Sequence, residues 1–186
     1  MCARAFRDAP HIVYFFSDEA RRENDSVGLF EMRIRYGLLY GEVHVTSANL
    51  EGLAVWIPSP RTTMTAWRQV RAGGIRLYRA VGPDAVSRMT HVAEHNDRLH
   101  RQHVSGHHWF LGILAVDPAA QHRGHATGLV DGMCSRLDRD RIPCYAETTE
   151  RNLLSFYQRL GFESHVESTV PGTDLAVWPL TRLPSP

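Results

Sequence analysis

Residues 108–130 read HWFLGILAVDPAAQHRGHATGLV, and this stretch decides the fold. The run from Trp109 to Val116 is almost wholly apolar, which predicts a strand covered on both faces at the centre of a sheet. Asp117 and Pro118 end the strand, because proline has no amide for the ladder. Beyond the loop, apolar side chains recur at helical spacing, at Ala126, Leu129, Val130, Met133 and Leu137. The stretch therefore predicts a strand, a loop and a helix.

The loop from Gln121 to Ala126 has the features of an anion site. Gly124 and Ala126 are small enough to let a ligand approach the backbone. The first amides of a helix have no partner within the helix and carry the positive end of its dipole, which suits a phosphate group. An ordinary tight turn between a strand and a helix explains the same residues, so the loop alone leaves both interpretations open.

Length and composition restrict the class of protein. A chain of 186 residues, 43% hydrophobic and 22% charged, is typical of one globular domain spanning residues 1–186. A net charge of +1 predicts neither nucleic acid nor an anionic membrane as a partner. The chain has no apolar run of membrane-spanning length and no signal-peptide core, so we expect a cytoplasmic protein. Cys2, Cys134 and Cys144 lack metal-ligand spacing, and buried free thiols are predicted for the last two.

The N-terminal residues predict two helices. Residues 1–8 are typical of the last turns of a helix, which Pro10 would end. A second helix is predicted to begin at Ser17, because hydroxyl and acidic residues suit a helix start, and to end at Gly41. Its predicted apolar stripe consists of Val27, Phe30, Ile34 and Leu38.

A hairpin and a long helical region are predicted next. Residues 42–46 and 53–57 are typical of two strands joined by a polar turn. Residues 60–105 predict helices in three pieces, separated at Gly73 and just before Pro83. We expect this region to cover one mouth of the sheet.

The C-terminal half completes a mixed sheet. A strand is predicted over residues 144–148 and a helix over residues 152–160. A final hairpin is predicted from residues 163–170 and 175–180. The order of elements implies an α/β fold with one parallel βαβ unit in the middle of the sheet.

Two sequence motifs follow one another in the second half of the chain. Residues 121–126 spell QHRGHA, which has the pattern Q-x-x-G-x-A. Residues 147–162 spell ETTERNLLSFYQRLGF, which contains N-x-x-x-x-Y-x-x-x-G-F. With both motifs, the chain resembles the GCN5-related N-acetyltransferases (the GNAT superfamily), and within it the members of the puromycin N-acetyltransferase type. The resemblance is good over residues 109–180 and poor over residues 60–105.

The resemblance implies a GNAT-like fold. Its sheet is mixed and mostly antiparallel, and its central parallel pair splays apart to hold acetyl-CoA. The family opens with a strand before its first helix, and only a few residues precede Ala5, so we expect that first strand to be missing. Residues 42–46 would then form an edge strand with unpaired backbone groups. We therefore expect cover from the C-terminus or from another chain, as in a homodimer.

The reaction that the resemblance implies is transfer of an acetyl group from acetyl-CoA, the co-substrate, to a primary amine by direct attack. A small-molecule amine is the expected acceptor, while peptide or protein amines and longer acyl donors stay open. Tyr157 matches the family's general acid. Glu147 is the candidate general base, although a solvent-exposed charge at a strand end explains it equally well. Four other candidates for the base rank lower or stay open: His107, His108, Glu31 and Glu42.

The resemblance also implies which residues hold the co-substrate. The backbone of residues 114–116 would pair with the pantetheine arm, and the loop amides would hold the pyrophosphate, with the Arg123 side chain close by. Asn152 would bind the pantetheine amide. The expected acetyl-CoA contacts are Leu114, Ala115, Val116, Gln121, His122, Arg123, Gly124, His125, Ala126, Thr127, Asn152, Ser155 and Tyr157.

Two alternatives remain. His91, Glu94 and His95 spell H-x-x-E-H, a zinc-hydrolase signature that places both imidazoles on one helix face. No third ligand is singled out, so we expect no metal and a partly solvated helix face instead. The second alternative is a non-catalytic domain that binds acyl-CoA, against which Tyr157 and Asn152 argue mildly.

Overall fold

The computed structural model describes residues 1–185, in which helices lie on both faces of a mixed sheet. The helices are α1 (Cys2–Ala5), α2 (Pro10–Phe15), α3 (Arg22–Tyr40), α4 (Ala66–Ala72), α5 (Gly74–His103), α6 (His125–Asp140) and α7 (Leu154–Arg159). The strands are β1 (Glu42–Val45), β2 (Gly52–Pro58), β3 (Trp109–Val116), β4 (Cys144–Thr148), β5 (Glu163–Ser164), β6 (Ser168–Thr169) and β7 (Ala176–Arg182).

The sheet has the order β1-β2-β3-β4-β7-β5, and β6 also pairs with β7. Within residues 1–185, β3 and β4 form the one parallel pair, and the other pairs are antiparallel. Helix α6 connects β3 to β4 across the sheet, as a parallel pair requires. The predicted mixed sheet with a central βαβ unit is confirmed.

The parallel pair parts halfway along its length. β3 pairs with β4 at Trp109, Phe110 and Leu111 only, although β3 continues to Val116. β4 instead stays with β7 through Thr148. From Gly112 onward the side of β3 that faces β4 therefore opens into a cleft, which is the splay expected from the sequence.

The two faces of the sheet carry separate hydrophobic clusters. One cluster lies against α1 to α5 and contains Ile12, Phe30 and Val55. The other lies against α6 and α7 and contains Trp56 and Met133. The expectation that β3 is covered on both faces is confirmed, because Ile113 belongs to the first cluster and Leu111 to the second. β2 is covered more completely, with six of its seven residues buried.

The N-terminal helices differ from the prediction. Pro10 begins α2 instead of ending a helix, because its missing amide and fixed φ suit a first helical position. α3 begins at Arg22 rather than Ser17, since residues 18–21 form a turn in which Asp18 Oδ1 accepts from the Ala20 amide.

The buried face of α3 is also rotated from the predicted stripe. Leu29, Phe30 and Gly37 are buried, whereas Val27 and Leu38 are exposed. A Cβ on Gly37 would lie 2.5 Å from Val55 Cγ1, so the absence of a side chain lets α3 approach β2. Close packing at this glycine decides which face of the helix is covered.

The three helical pieces predicted over residues 60–105 are confirmed. Gly73 separates α4 from α5 with a φ of 106°. Gly82, with a φ of 80°, kinks α5 immediately before Pro83. The long helix packs against α2, α3 and β7. None of the helices described combines the length and apolar character needed to cross a bilayer.

The predicted terminal hairpin is interrupted. Residues 163–170 form two short strands, β5 and β6, on either side of His165–Glu167. Ser164 pairs with Leu180 and Ser168 pairs with Val177. The chain thus advances four residues from β5 to β6 but only three along β7, so the segment between β5 and β6 contains one extra residue. The bulge lies beside Pro179, which has no amide for the ladder.

β1 is an edge strand, and no further strand pairs with it in residues 1–185. The expectation that the C-terminus covers this edge was wrong, because β7 lies between β4 and β5 on the other side of the sheet. Arg136 of α6 holds Glu42 of β1 through two hydrogen bonds of 3.0 Å. Cover by a second copy of the chain stays a prediction.

Candidate active site

The loop between β3 and α6 presents backbone amides without acceptors. Asp117 Oδ1 accepts from the Ala119 amide at 3.1 Å, and the Gln121 side chain donates to the Val116 carbonyl at 3.4 Å. Gly124 precedes α6 with a φ of 81° and no side-chain cap. The first bond into the helix joins the Gly128 amide to the Gly124 carbonyl at 3.0 Å. In residues 1–185, the amides of residues 123–127 have no backbone acceptor.

The side chains of the loop leave these amides accessible. Gln121, His122, Arg123 and Gly124 are exposed, and His125 and Ala126 are half-buried. A Cβ built on Gly124 meets nothing within 4 Å, so the space beside the amides is open. Free amides, a helix dipole and an adjacent guanidinium form a donor set that fits a diphosphate.

A cavity of about 120 Å³ opens where β3 and β4 part, and we call it the cleft cavity. One wall comes from the strands and α7, through Leu111–Leu114, Glu147–Glu150 and Tyr157. The opposite wall comes from the helices and includes His11, Arg33 and Asn96 together with several aromatic rings. The two candidate catalytic residues, Glu147 and Tyr157, therefore line one cavity.

Glu147 is held close to the titration range of a general base. The Tyr145 hydroxyl donates to Glu147 Oε1 at 3.0 Å. Burial raises the pKa of Glu147 from 4.5 to about 7, because it outweighs the opposing effects of this hydrogen bond and of the positive charge on Arg33. A carboxyl group with this pKa can accept a proton near neutral pH.

Tyr157 presents an unengaged phenol. Its ring packs edge-on against Phe156 and Phe162, at centroid distances of 5.3 and 5.6 Å. Burial raises its pKa above 10, and the neighbouring Cys144 and Glu150 add to the shift. No hydrogen-bond partner for its hydroxyl lies within residues 1–185, so the phenol stays protonated with a free donor in the cavity.

The helical wall holds three polar side chains that the sequence did not single out. Arg33 forms no hydrogen bond or ion pair within residues 1–185. Asn96 Oδ1 is buried, and the described chain gives it no partner. His11 Nδ1 lies 2.9 Å from Thr149 Oγ1, and burial with the nearby Arg33 charge lowers its pKa to about 3, so the imidazole is neutral. One signal was available, because Arg33 follows Phe30 by three positions on a predicted apolar face.

Other predicted contacts lie outside the cleft cavity. Asn152 and Ser155 are exposed, on the 3-10 turn after β4 and on α7. Thr127 is exposed on the first turn of α6. Leu114 lines the cavity, whereas Ala115 and Val116 continue β3 toward the loop. The structure thus groups the predicted residues at the cleft, at the loop and along α7.

A larger hollow of about 660 Å³ lies at the start of β3 and is bounded by Ser59, Thr62, His100, His107 and His108; we call it the histidine cavity. His108 Nδ1 donates to the Gly106 carbonyl at 2.9 Å, so its Nε2 accepts from His100 Nε2 at 2.8 Å. Burial lowers the pKa of His100 to about 4 and also lowers that of His108. The polar groups of this pair satisfy each other.

The remaining candidates for the base are engaged or remote. Glu42 accepts from Arg136 and lies 2.8 Å from His44 Nε2. Glu31 pairs with Arg76 on the surface at 3.3 Å. Neither carboxylate lines the cleft cavity.

The zinc-like signature serves packing instead. His91 Nε2 donates to the Pro171 carbonyl at 2.8 Å, and His95 Nε2 lies 3.1 Å from Ser168 Oγ. These contacts fasten α5 to the turn and strand before β7. Within residues 1–185, no three His, Cys, Asp or Glu side chains are arranged to hold a metal ion.

The cysteines are buried and free, as predicted for Cys134 and Cys144. Burial raises the pKa of Cys134 to about 11 and that of Cys144 above its usual range. These thiols are protonated at neutral pH and are poor nucleophiles.

Comparisons with known proteins agree with this geometry. Residues 87–164 match the family model described as the acetyltransferase (GNAT) domain. A crystal structure from Corynebacterium glutamicum, described as histone acetyltransferase HPA2 and related acetyltransferase, superposes with a TM-score of 0.68. It is 20% identical, and the match covers 99% of this chain and 87% of that one. A putative arylalkylamine N-acetyltransferase 7 from the mosquito Aedes aegypti gives a TM-score of 0.60 at 13% identity, over 99% and 82% of the two chains.

The described chain therefore has the fold of the acetyltransferase structures with which it superposes. The match to the GNAT acetyltransferase domain model is confined to residues 87–164.

Proposed function

We propose that this chain transfers the acetyl group of acetyl-CoA to a primary amine of a small molecule by direct attack. The observation that carries the proposal is the presence of two complementary groups in the cleft cavity. Glu147 can accept a proton near pH 7, and Tyr157 offers a free phenolic donor. An amine that attacks a thioester must lose one proton while the departing sulfur gains one. The cavity contains one group for each transfer.

Glu147 takes the proton that the amine nitrogen loses as it forms its bond to the acetyl carbon. The hydrogen bond from Tyr145 fixes the Glu147 carboxyl group on β4 beside the opening between the strands. Its raised pKa favours this role, because a carboxylate with an ordinary pKa would be a weaker base toward an ammonium group. The position and the environment of Glu147 support the role of base.

Tyr157 donates its phenolic proton to the sulfur as the carbon–sulfur bond breaks. A hydroxyl without a partner in residues 1–185 is free to point at a group entering the cleft. Direct attack is favoured over an acyl-enzyme, because Cys134 and Cys144 are buried and their thiols are protonated.

The loop before α6 is the proposed anchor for coenzyme A. The unpartnered amides of residues 123–127 would hold the diphosphate, with the exposed Arg123 guanidinium beside it. The free side of β3 at Leu114–Val116 would pair with the pantetheine arm. Coenzyme A supplies the thioester, and these groups direct it toward the cleft cavity.

The test measures thiol release from acetyl-CoA with a panel of primary amines, for the unchanged protein and for Tyr157→Phe. We expect release with at least one amine and a fall in kcat of about 100-fold in the variant, a typical contribution of acid catalysis. Tyr78→Phe is the matched control, because Tyr78 is exposed on α5.

The outcomes separate the parts of the proposal. Equal kcat for Tyr157→Phe and the unchanged protein would remove the acid role alone. Binding of acetyl-CoA without thiol release from any amine would identify a non-catalytic binding domain and overturn the proposed activity.

A further inference from the structure

Arg33 is a cation that the protein leaves without a counterion. It lies on α3, lines the cleft cavity and is partly buried. No carboxylate oxygen within residues 1–185 comes within 4.0 Å of its guanidinium nitrogens. Arg182, by contrast, has a counterion: its guanidinium donates to both carboxylate oxygens of Asp138 at 2.7 Å.

A guanidinium that is withdrawn from water without an anion is costly, and so it favours a ligand that supplies one. Its planar donors match a carboxylate in two parallel hydrogen bonds. Glu147 shares the cavity and feels the charge of Arg33, but the two groups form no ion pair. The cavity that both groups line can therefore receive a molecule with charges at two points.

Two further features of the cavity narrow the class of ligand. Asn96 Oδ1 is a buried acceptor for which the described chain supplies no donor, and it lies in the same wall as Arg33. Apart from the neutral His11, the remainder of that wall is apolar and aromatic, with Phe6, Phe15 and Phe30. The cavity therefore offers a cation, hydrogen-bond acceptors and an apolar surface.

We propose that the acceptor of this acetyltransferase carries a carboxylate close to its amine, as in an amino acid with an apolar side chain. Arg33 binds the carboxylate, Glu147 receives the proton from the amine, and the aromatic wall takes the side chain. This inference rests on the proposed function, since it assigns the substrate class of the same cavity.

The experiment compares amines that differ only in the carboxylate. Release of thiol from acetyl-CoA is measured with L-leucine against 3-methylbutylamine and with L-phenylalanine against 2-phenylethylamine. We expect kcat/KM of the unchanged protein to be at least about 10-fold higher for the carboxylated member, which is what one charge-assisted contact supplies.

Arg33→Gln is expected to reduce that ratio to about 1, because the preference for the carboxylated member depends on the guanidinium. Arg33→Lys keeps a charge without the planar fork and is expected to keep part of the preference. Arg35→Gln is the matched control, because Arg35 is exposed on the same helix. Thermal melting of each variant reports whether the fold is retained.

Each result decides the inference. Carboxylated amines that are no better than their partners in the unchanged protein overturn it, whatever the variants do. An equal fall for both members of a pair in Arg33→Gln also overturns it, since that result describes a counter-charge for Glu147 only. Thiol release only from amines without a carboxylate overturns the inference and leaves the proposed function standing, whereas no release from any amine defeats both.

Discussion

The two cavities along β3 differ in how far their polar groups are satisfied. The histidine cavity is the larger, but His100 and His108 bond to each other and the Gly106 carbonyl completes the pair. The cleft cavity is the smaller, and Arg33 and Tyr157 offer donors there that no group in residues 1–185 accepts. We therefore expect catalysis in the cleft cavity, whose polar groups lack partners, and not in the larger histidine cavity.

The pKa shifts in the two cavities express the same difference. In the histidine cavity, burial lowers the pKa of His100 to about 4, so the pair is neutral and structural near pH 7. In the cleft cavity, burial raises the pKa of Glu147 to about 7, so its charge is easily gained or lost there. Desolvation causes both shifts: it moves the pKa of His100 away from neutral pH and moves the pKa of Glu147 toward it.

The largest expected effect separates the two cavities by activity. Glu147→Gln keeps an acceptor for the Tyr145 hydroxyl but cannot take a proton, so we expect kcat to fall about 100- to 1000-fold. The matched change in the other cavity is His107→Gln, which is expected to alter kcat by less than about twofold. Steady-state rates of thiol release check both.

The pH profile supplies the control for this prediction. In the unchanged protein the rate is expected to rise with pH until about 7 and then level, as Glu147 loses its proton. The residual activity of Glu147→Gln should lack that rise. A profile that is unchanged in the variant would assign the base to another group.

The second prediction concerns stability. A carboxyl group whose pKa is 4.5 when unfolded and about 7 when folded retains its proton longer in the native state. The unfolded chain therefore binds fewer protons between these values, and the contribution of Glu147 to stability falls as pH rises from about 4.5 to 7. Glu147→Gln should thus gain about 3 kcal/mol relative to the unchanged protein at pH 8 compared with pH 4.

Urea unfolding of both proteins at the two pH values measures this difference, because all other titrations cancel between them. A variant that is inactive but more stable at pH 8 is the signature of a base held at a cost to the fold. If the difference in stability between the two proteins were the same at both pH values, Glu147 would be well solvated. The two cavities would then differ less than the structure indicates.

The strand-and-loop half of the site could be predicted from the sequence, and the helical half could not. The bounds of β3 and β4 follow from local signals, namely an apolar run before Pro118 and a short run after Pro143. Tyr157 belongs to a motif with fixed spacing, and Glu147 lies late in the strand that precedes it, so both can be found from the sequence alone. The structure brings both to the same cavity.

Arg33, Asn96 and His11 belong to three different helices that only tertiary packing brings together. The rotation of α3 depends on the close approach of Gly37 to Val55, a long-range contact that helical periodicity does not contain. The proposed acceptor side of the site is therefore a product of helix packing. This is also the reason why the substrate class had to be inferred from the cavity rather than from a motif.

The smallest expected effect tests the loop that leads into the cleft cavity. Gly124 has a φ of 81°, where a β-branched side chain is strained by about 1–2 kcal/mol, although the space around it is open. Gly124→Val should turn the free amides away from a diphosphate and raise KM for acetyl-CoA about fivefold, with little change in kcat.

Gly106→Val is the matched control, since Gly106 has a φ of 71°, equally open surroundings and a place beside the histidine cavity. Both variants should lose similar stability, but only the first should lose affinity for acetyl-CoA. A parallel rise in KM for both would mean that general loosening of the fold, and not the amides at the start of α6, governs binding of coenzyme A.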